Sequence, residues 1–217
     1  PGILQWVQLP SGMWVSEKNP GYPFLAVPFQ LIGMLRLAPL FYGALGCIGL
    51  YAGAKRCPGG WGGTWAVVAS LGSGAAFVFA WRATMPTFTD ASLIAGGAGA
   101  ILWAMLATDR RSRARILVGA VGVLGLSLAV AVRYTNVIVL IVAVIAVLVF
   151  RRRVGLSLGA VAIWAAPVAV VGAAILLFNQ VVYGGAFTTG YANGLITFSL
   201  SAVWPNLTGM PVILLVA

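Results

Sequence analysis

Between Arg115 and Arg151 lie 35 residues that carry a single charge, Arg133, at their midpoint. As one helix this stretch would be about 52 Å long, whereas the hydrocarbon core of a bilayer is about 30 Å thick. A single span would also strand the arginine in lipid, at a cost of at least about 2.5–3.5 kcal/mol. Two spans joined at Arg133-Tyr134-Thr135-Asn136 remove both conflicts, so a helical hairpin with this apex is predicted. The rest of the chain repeats the theme. It is 61% hydrophobic and 7% charged, against about 25% charged in a soluble domain, too little polar material to cover a water-facing surface. Apolar runs between charges predict spans near 35–54, 61–81, 91–107, 116–132, 137–150, 154–178 and 207–217. The segment 23–33 is too short to cross and holds Pro23 and Pro28, so it reads as an interfacial or re-entrant helix. The expected fold class is all-α: a polytopic transmembrane helix bundle of about seven spans. Residues 1–217 form one membrane domain, with 1–34 as external loop and interfacial helix and 35–217 as the bundle. The chain opens at Pro1 and stops inside the apolar run VILLVA, and is read as an internal piece of a longer membrane protein.

Charge narrows the chemistry. Histidine is absent, which excludes Ser-His-Asp triads, HExxH zinc sites and imidazole proton shuttles. Cys47 and Cys57 are too few for a metal framework, and nothing forces them into a disulfide. Carboxylate chemistry must use Glu17, Asp90 or Asp109. Nine of the 13 Lys and Arg residues fall in three clusters, at 55–56, 110–115 and 151–153. These occur at every second loop, so one face holds all three, and the positive-inside rule makes that face cytoplasmic. Segments 1–22, 82–90, 133–136 and 179–199 then share the external side of a multi-pass cell-membrane protein. The net charge of +10 divides accordingly. Nine basic residues less Asp109 leave +8 inside, and four less Glu17 and Asp90 leave +2 outside. The large term is topological and calls for no nucleic-acid partner.

Function is expected in the external remainder. Lys18, Arg82, Asp90 and Arg133 stand in or beside loops that also carry Tyr22, Tyr134, Asn136, Asn179 and Tyr191. Isolated charges at the membrane boundary beside Tyr and Asn side chains suit a charged, hydroxylated ligand. Each residue also has a plainer explanation. Lys18 meets an anionic headgroup, or is solvated beside Glu17. Arg82 snorkels. Asp90 opens a span and is accounted for as a helix N-cap. Arg133 contacts a phosphate through paired hydrogen bonds, or pairs structurally, with Asp90 as the candidate partner. The glycines of GALGCIGLYAG (43–53) and those at 119, 122 and 125 give small-residue faces for close helix packing. Asn206-Leu207-Thr208 fits a glycosylation sequon, a short and common pattern. Walker loops, dinucleotide fingerprints and Ser-x-x-Lys patterns are absent from the sequence.

The order of motifs resembles a known family. NPGYPFLAVPF (19–29) is similar to the aromatic, proline-rich element of polytopic GT-C glycosyltransferases, the relatives of dolichyl-phosphate-mannose protein mannosyltransferases and lipid A aminoarabinose transferases. RLAPLFYGALGCIGLYAGAKR (36–56), WRATMPTFTDASL (81–93), AVRYTNVIVLI (131–141) and FNQVVYGGAFTTGYANG (178–194) follow in the family's order. The resemblance implies transfer of a sugar from a polyprenyl-phosphate carrier to an acceptor on the external face, with inversion, within the membrane lipid. It implies Asp90 as a catalytic-site acid that orients the acceptor, holds Arg133 or ligates a divalent metal. Arg133, Lys18 and Arg82 become candidates for the departing phosphate. It also puts the family's catalytic Asp in a loop that precedes the 19–29 element and is expected ahead of Pro1, so the general base is expected outside this chain. TMPTFTD separates Met85 from Asp90 by more residues than the family's short Met-x-Asp form. The resemblance fixes no cofactor, and a divalent metal is left open. The donor sugar and the acceptor glycan, lipid or protein are not legible. A transporter or flippase for lipid-linked or small anionic solutes is the main alternative; a non-catalytic scaffold is a third.

The orientation is testable without any assay of function. With Cys47 and Cys57 replaced, Lys18→Cys is expected to react with an impermeant maleimide on intact cells and Ser112→Cys is not. Labelling only at position 112 would invert the topology.

Overall fold

A computed structural model describes residues 6–8, 12, 14–16, 19–57, 62–72, 80, 86–108 and 112–189 of the 217. Among these are two short strands, β1 (Trp6–Gln8) and β2 (Trp14–Ser16), and seven α-helices. The helices are α1 (Gly21–Leu31), α2 (Leu37–Ala54), α3 (Gly62–Leu71), α4 (Thr87–Met105), α5 (Arg113–Val132), α6 (Val137–Phe150) and α7 (Leu158–Tyr183). The strands pair antiparallel, with Val7 opposite Val15, so the first loop holds a small hairpin that an all-α reading lacks.

Four helices, α2, α4, α5 and α7, are long and apolar enough to cross a bilayer. Seven expected spans are therefore not matched by seven spanning helices among the described residues. Helix α6 has 14 residues, about 21 Å, because the 133–136 turn and Arg151–Arg153 trim both its ends. Helix α3 is described over 10 residues only, and the run 207–217 lies outside the described residues. Large apolar side chains such as Ile138, Val142 and Ile145 on α6 and Val170, Leu177 and Val181 on α7 are exposed. An exposed hydrocarbon surface of this kind matches lipid, where helices satisfy their own backbone.

Hydrogen bonds between helix ends fix the up-and-down order. At one end, Asn136 after α5 meets Asp90 at the start of α4, and Tyr134 meets Asn179 near the end of α7. At the other, Arg115 in the first turn of α5 donates through Nε to Ala104 O at 2.6 Å and through Nη2 to Val154 O at 2.7 Å. Trp164 Nε1 donates to Ile116 O at 2.9 Å. The predicted 116–150 hairpin is thus present, broken at Arg133, where the backbone turns extended. Arg115, the last arginine of the 110–115 cluster, is withdrawn into the bundle. It is 1% exposed and its fork binds one carbonyl in the last turn of α4, where a cation is favoured, and one in the turn that follows α6.

Packing follows the glycines. Helices α2 and α4 run side by side, with Gly46 against Ser92, Gly49 against Gly96 and Gly53 against Gly99. A methyl group on Gly53 or Gly99 would fall inside the opposing backbone. On its other flank α4 turns Gly97 to α5, where an added Cβ would meet Gly122 O at 2.7 Å. Gly119 instead clears space for the indole of Trp164. Lipid tails are as apolar as Leu, so close backbone approach takes over from hydrophobic burial as the force between helices.

Two end signals set the length of α7. Ser157 caps its start, accepting from Ala160 N, and Gly184 ends it in a left-handed conformation, φ 79°. The helix therefore reaches five residues past the expected boundary at 178 and takes Asn179 out of the predicted loop. Gly99→Val is expected to lower unfolding stability in detergent by at least about 1–3 kcal/mol. Gly172→Ala, where no atom lies within 4 Å, should be neutral or gain about 0.5–1 kcal/mol.

Candidate functional site

Asp90 is the carboxylate that the structure places, since Glu17 and Asp109 lie outside the described residues. Pro86 stands at the N-cap of α4 and Asp90 N bonds to Pro86 O at 2.8 Å. Asp90 is therefore in the first turn rather than at the cap, and the N-cap explanation is corrected. Its side chain reaches sideways instead. Oδ1 accepts from Asn136 Nδ2 at 2.6 Å, and Oδ2 faces Arg133 Nε at 3.4 Å. The same Asn136 amide donates to Ala129 O at 2.9 Å, a carbonyl in the last turn of α5. One asparagine thus ties the start of α4 to the end of α5.

The electrostatics of the two helix ends agree with this. The N-terminus of α4 carries partial positive charge and receives Asp90; the C-terminus of α5 carries partial negative charge and receives Arg133. The ion pair is one-sided in exposure: the Asp90 side chain is 8% exposed and that of Arg133 46%. Arg133 Nη2 also donates to Thr87 Oγ1 at 2.9 Å. These contacts occupy the Nε–H and one Nη2–H of the five guanidinium N–H groups. The half-exposed fork is held in place and still faces outward.

Around this pair the other predicted residues divide. Tyr134, on the 3-10 turn Tyr134–Asn136, donates from its hydroxyl to Asn179 Oδ1 at 3.1 Å. Asn179 is buried and donates Nδ2 to Ala186 O, so it anchors the chain that leaves α7. Tyr22 is buried against Ala26 and Val132, next to Arg133 in sequence. Burial lifts its phenol above the ordinary value, with the Thr89 hydroxyl beside it partly offsetting that rise, so it stays a neutral hydroxyl. Gly21 makes this approach possible, because a Cβ there would strike the Ala131 and Val132 backbone. Lys18, Arg82 and Tyr191 lie outside the described residues.

Thr87 is the site residue that the sequence reading misses. It sits three positions before Asp90, and residues three apart share a helix face. Starting the helix after Pro86, with proline as the start signal, would have found it. Among the described residues no group of three or more His, Cys, Asp or Glu side chains comes together. Asp90 spends both oxygens on a guanidinium and an amide, a donor set that does not suit a divalent cation.

No family model matches the chain, and no curated protein and no solved structure matches it either. The site therefore stands on its own geometry: a carboxylate-held arginine at the polar end of a helical bundle.

A double-mutant cycle tests the tie. Asp90→Ala should cost about 1.5–3 kcal/mol, the range for hydrogen bonds to charged groups. The coupling to Asn136→Ala should be at least about 0.5 kcal/mol, measured by reversible unfolding in mixed micelles. Additive losses would show that the two side chains act independently.

Proposed function

We propose that this chain belongs to an integral membrane glycosyltransferase, moving a sugar from a polyprenyl-phosphate carrier to an acceptor on the non-cytoplasmic face. The observation that carries this reading is the Arg133 guanidinium, braced by Asp90 and Thr87 and half-exposed at the end of the bundle. A leaving phosphate needs positive charge already in position, since donors fixed beforehand need no reorganisation during the reaction. A planar fork suits paired bonds to phosphate oxygens. A lysine on a flexible stem would not be held in the same way.

In this reading the acceptor hydroxyl gives its proton to a carboxylate and its oxygen attacks the anomeric carbon. The bond to the carrier phosphate breaks with inversion, and the charge released is met by Arg133. Both Asp90 oxygens are engaged by Arg133 and Asn136, which favours a positioning role for Asp90. The family resemblance assigns the base to a loop ahead of Asn19. Tyr22, Tyr134 and Asn179 frame the same end of the bundle, and Lys18, Arg82 and Tyr191 are further ligand candidates on the external side.

The test uses the full-length protein in membranes with a radiolabelled polyprenyl-phosphate sugar. Arg133→Ala is expected to lower transfer about 100-fold or more with normal expression, and Arg133→Lys to recover only part. Asp90→Asn should lower turnover because the fork loses its brace. Wild-type rates in Arg133→Ala and Asp90→Asn would remove the assignment. Movement of intact labelled carrier across proteoliposomes, without transfer, would favour a flippase.

A further inference from the structure

Helices α6 and α7 part around a cavity of about 340 Å³, within the size range of small-molecule sites, about 300–1,000 Å³; it runs along the middle of α6 and the first half of α7. Its lining is wholly Ala, Val, Leu, Ile and Trp. Trp164 and Val123 contribute its inner side, while Leu140–Leu148 on α6 and Val161–Ala169 on α7 supply the walls. The one polar group on a lining side chain, the Trp164 N–H, is bonded to Ile116 O. A soluble polar ligand finds no partner here.

Depth and charge narrow the occupant. Each wall spans eight residues of helical rise, about 12 Å, close to half of the roughly 30 Å hydrocarbon core. The cavity therefore has about the length of one leaflet, and it reaches Leu148 and Val161, within three residues of the helix ends that flank the α6–α7 connection. That connection begins Arg151-Arg152-Arg153. Arg152 and Arg153 are exposed, and the Arg153 guanidinium lies over the Phe150 ring at 5.8 Å, which keeps it beside the end of α6. Among the described residues no carboxylate pairs with the three arginines. An apolar slot one leaflet deep under a row of cations complements a molecule with an anionic head and a hydrocarbon tail. Basic pockets between transmembrane helices bind such headgroups.

We propose that this cleft is a binding site for an anionic phospholipid, with one acyl chain between α6 and α7 and its phosphate at Arg152 and Arg153. The site is separate from the Asp90–Arg133 end and does not depend on the transfer reaction proposed for it. Lipid bound there fills the gap between α6 and α7, whose inner side is closed by Val123 of α5 and Ile101 of α4, and so steadies α7.

Full-length protein in detergent, titrated with phosphatidylglycerol, with phosphatidylcholine of the same chains and with inorganic phosphate, tests this by native mass spectrometry and thermal unfolding. One phosphatidylglycerol per chain should be retained and should raise Tm; phosphatidylcholine and inorganic phosphate should not. Arg152→Gln with Arg153→Gln, both exposed, should weaken retention roughly thirtyfold. Ala165→Phe, which fills the slot, should abolish retention with the arginines intact. Equal retention of both lipids, an equal Tm shift from inorganic phosphate, or unchanged retention in the arginine pair would overturn the proposal. A stable dimer cross-linked through position 165 would overturn it in favour of a second copy in the cleft.

Discussion

Backbone-to-backbone contact along α4 is the constraint from which the rest of the bundle follows. Gly96 and Gly99 let α2 press on one flank and Gly97 lets α5 press on another. Side chains at these positions would move both neighbours outward. The polar end would then come apart, because Asp90 stands on α4 and Asn136 on the turn that follows α5, and those glycines set the separation of the two helices. A 2.6 Å bond between the two tolerates little change in that spacing. The glycines are thus part of the site's geometry while touching none of its polar atoms.

Much of this was legible in the sequence. Length and charge placement located the hairpin at Arg133, since lipid thickness and the cost of a bare arginine leave few alternatives. The glycine runs announced close packing, and the alternation of basic clusters agrees with the up-and-down order of the helix ends. Partners were harder to read. That Gly97 faces α5 while Gly96 and Gly99 face α2 is a question of helix phase, which a uniformly apolar helix does not reveal. Boundaries slipped where local signals outweighed hydropathy. Pro86 starts α4 early enough to enclose Thr87 and Asp90, and Gly184 ends α7 late enough to enclose Asn179. The burial of Arg115 was not legible, because a count of charges does not tell a buried arginine from a solvated one. Lys18, Arg82 and Tyr191 lie outside the described residues, so the reach of the site toward them rests on sequence.

The bundle carries polar fastenings at both ends, and they differ in kind. Asp90, Asn136, Arg133 and Thr87 make a side-chain network with one exposed edge. Arg115 and Trp164 bind main-chain carbonyls and are closed off. A network with an exposed cation has capacity left for a ligand, whereas carbonyl fastenings are complete in themselves. That contrast separates the end where chemistry is proposed from the end where the arginine serves the fold.

Arg115 also imposes an order of events during synthesis. Its Nη2 partner, the Val154 carbonyl, lies 39 residues further along the chain. When α5 first enters the bilayer that carbonyl has not yet been brought alongside it, so the guanidinium keeps its water at the membrane surface until then. Only after α6 has inserted and the chain has passed residue 154 does the arginine have its second acceptor and leave water. The nascent bundle therefore holds a positive charge at its surface while its orientation is being decided, and withdraws that charge once assembly is complete.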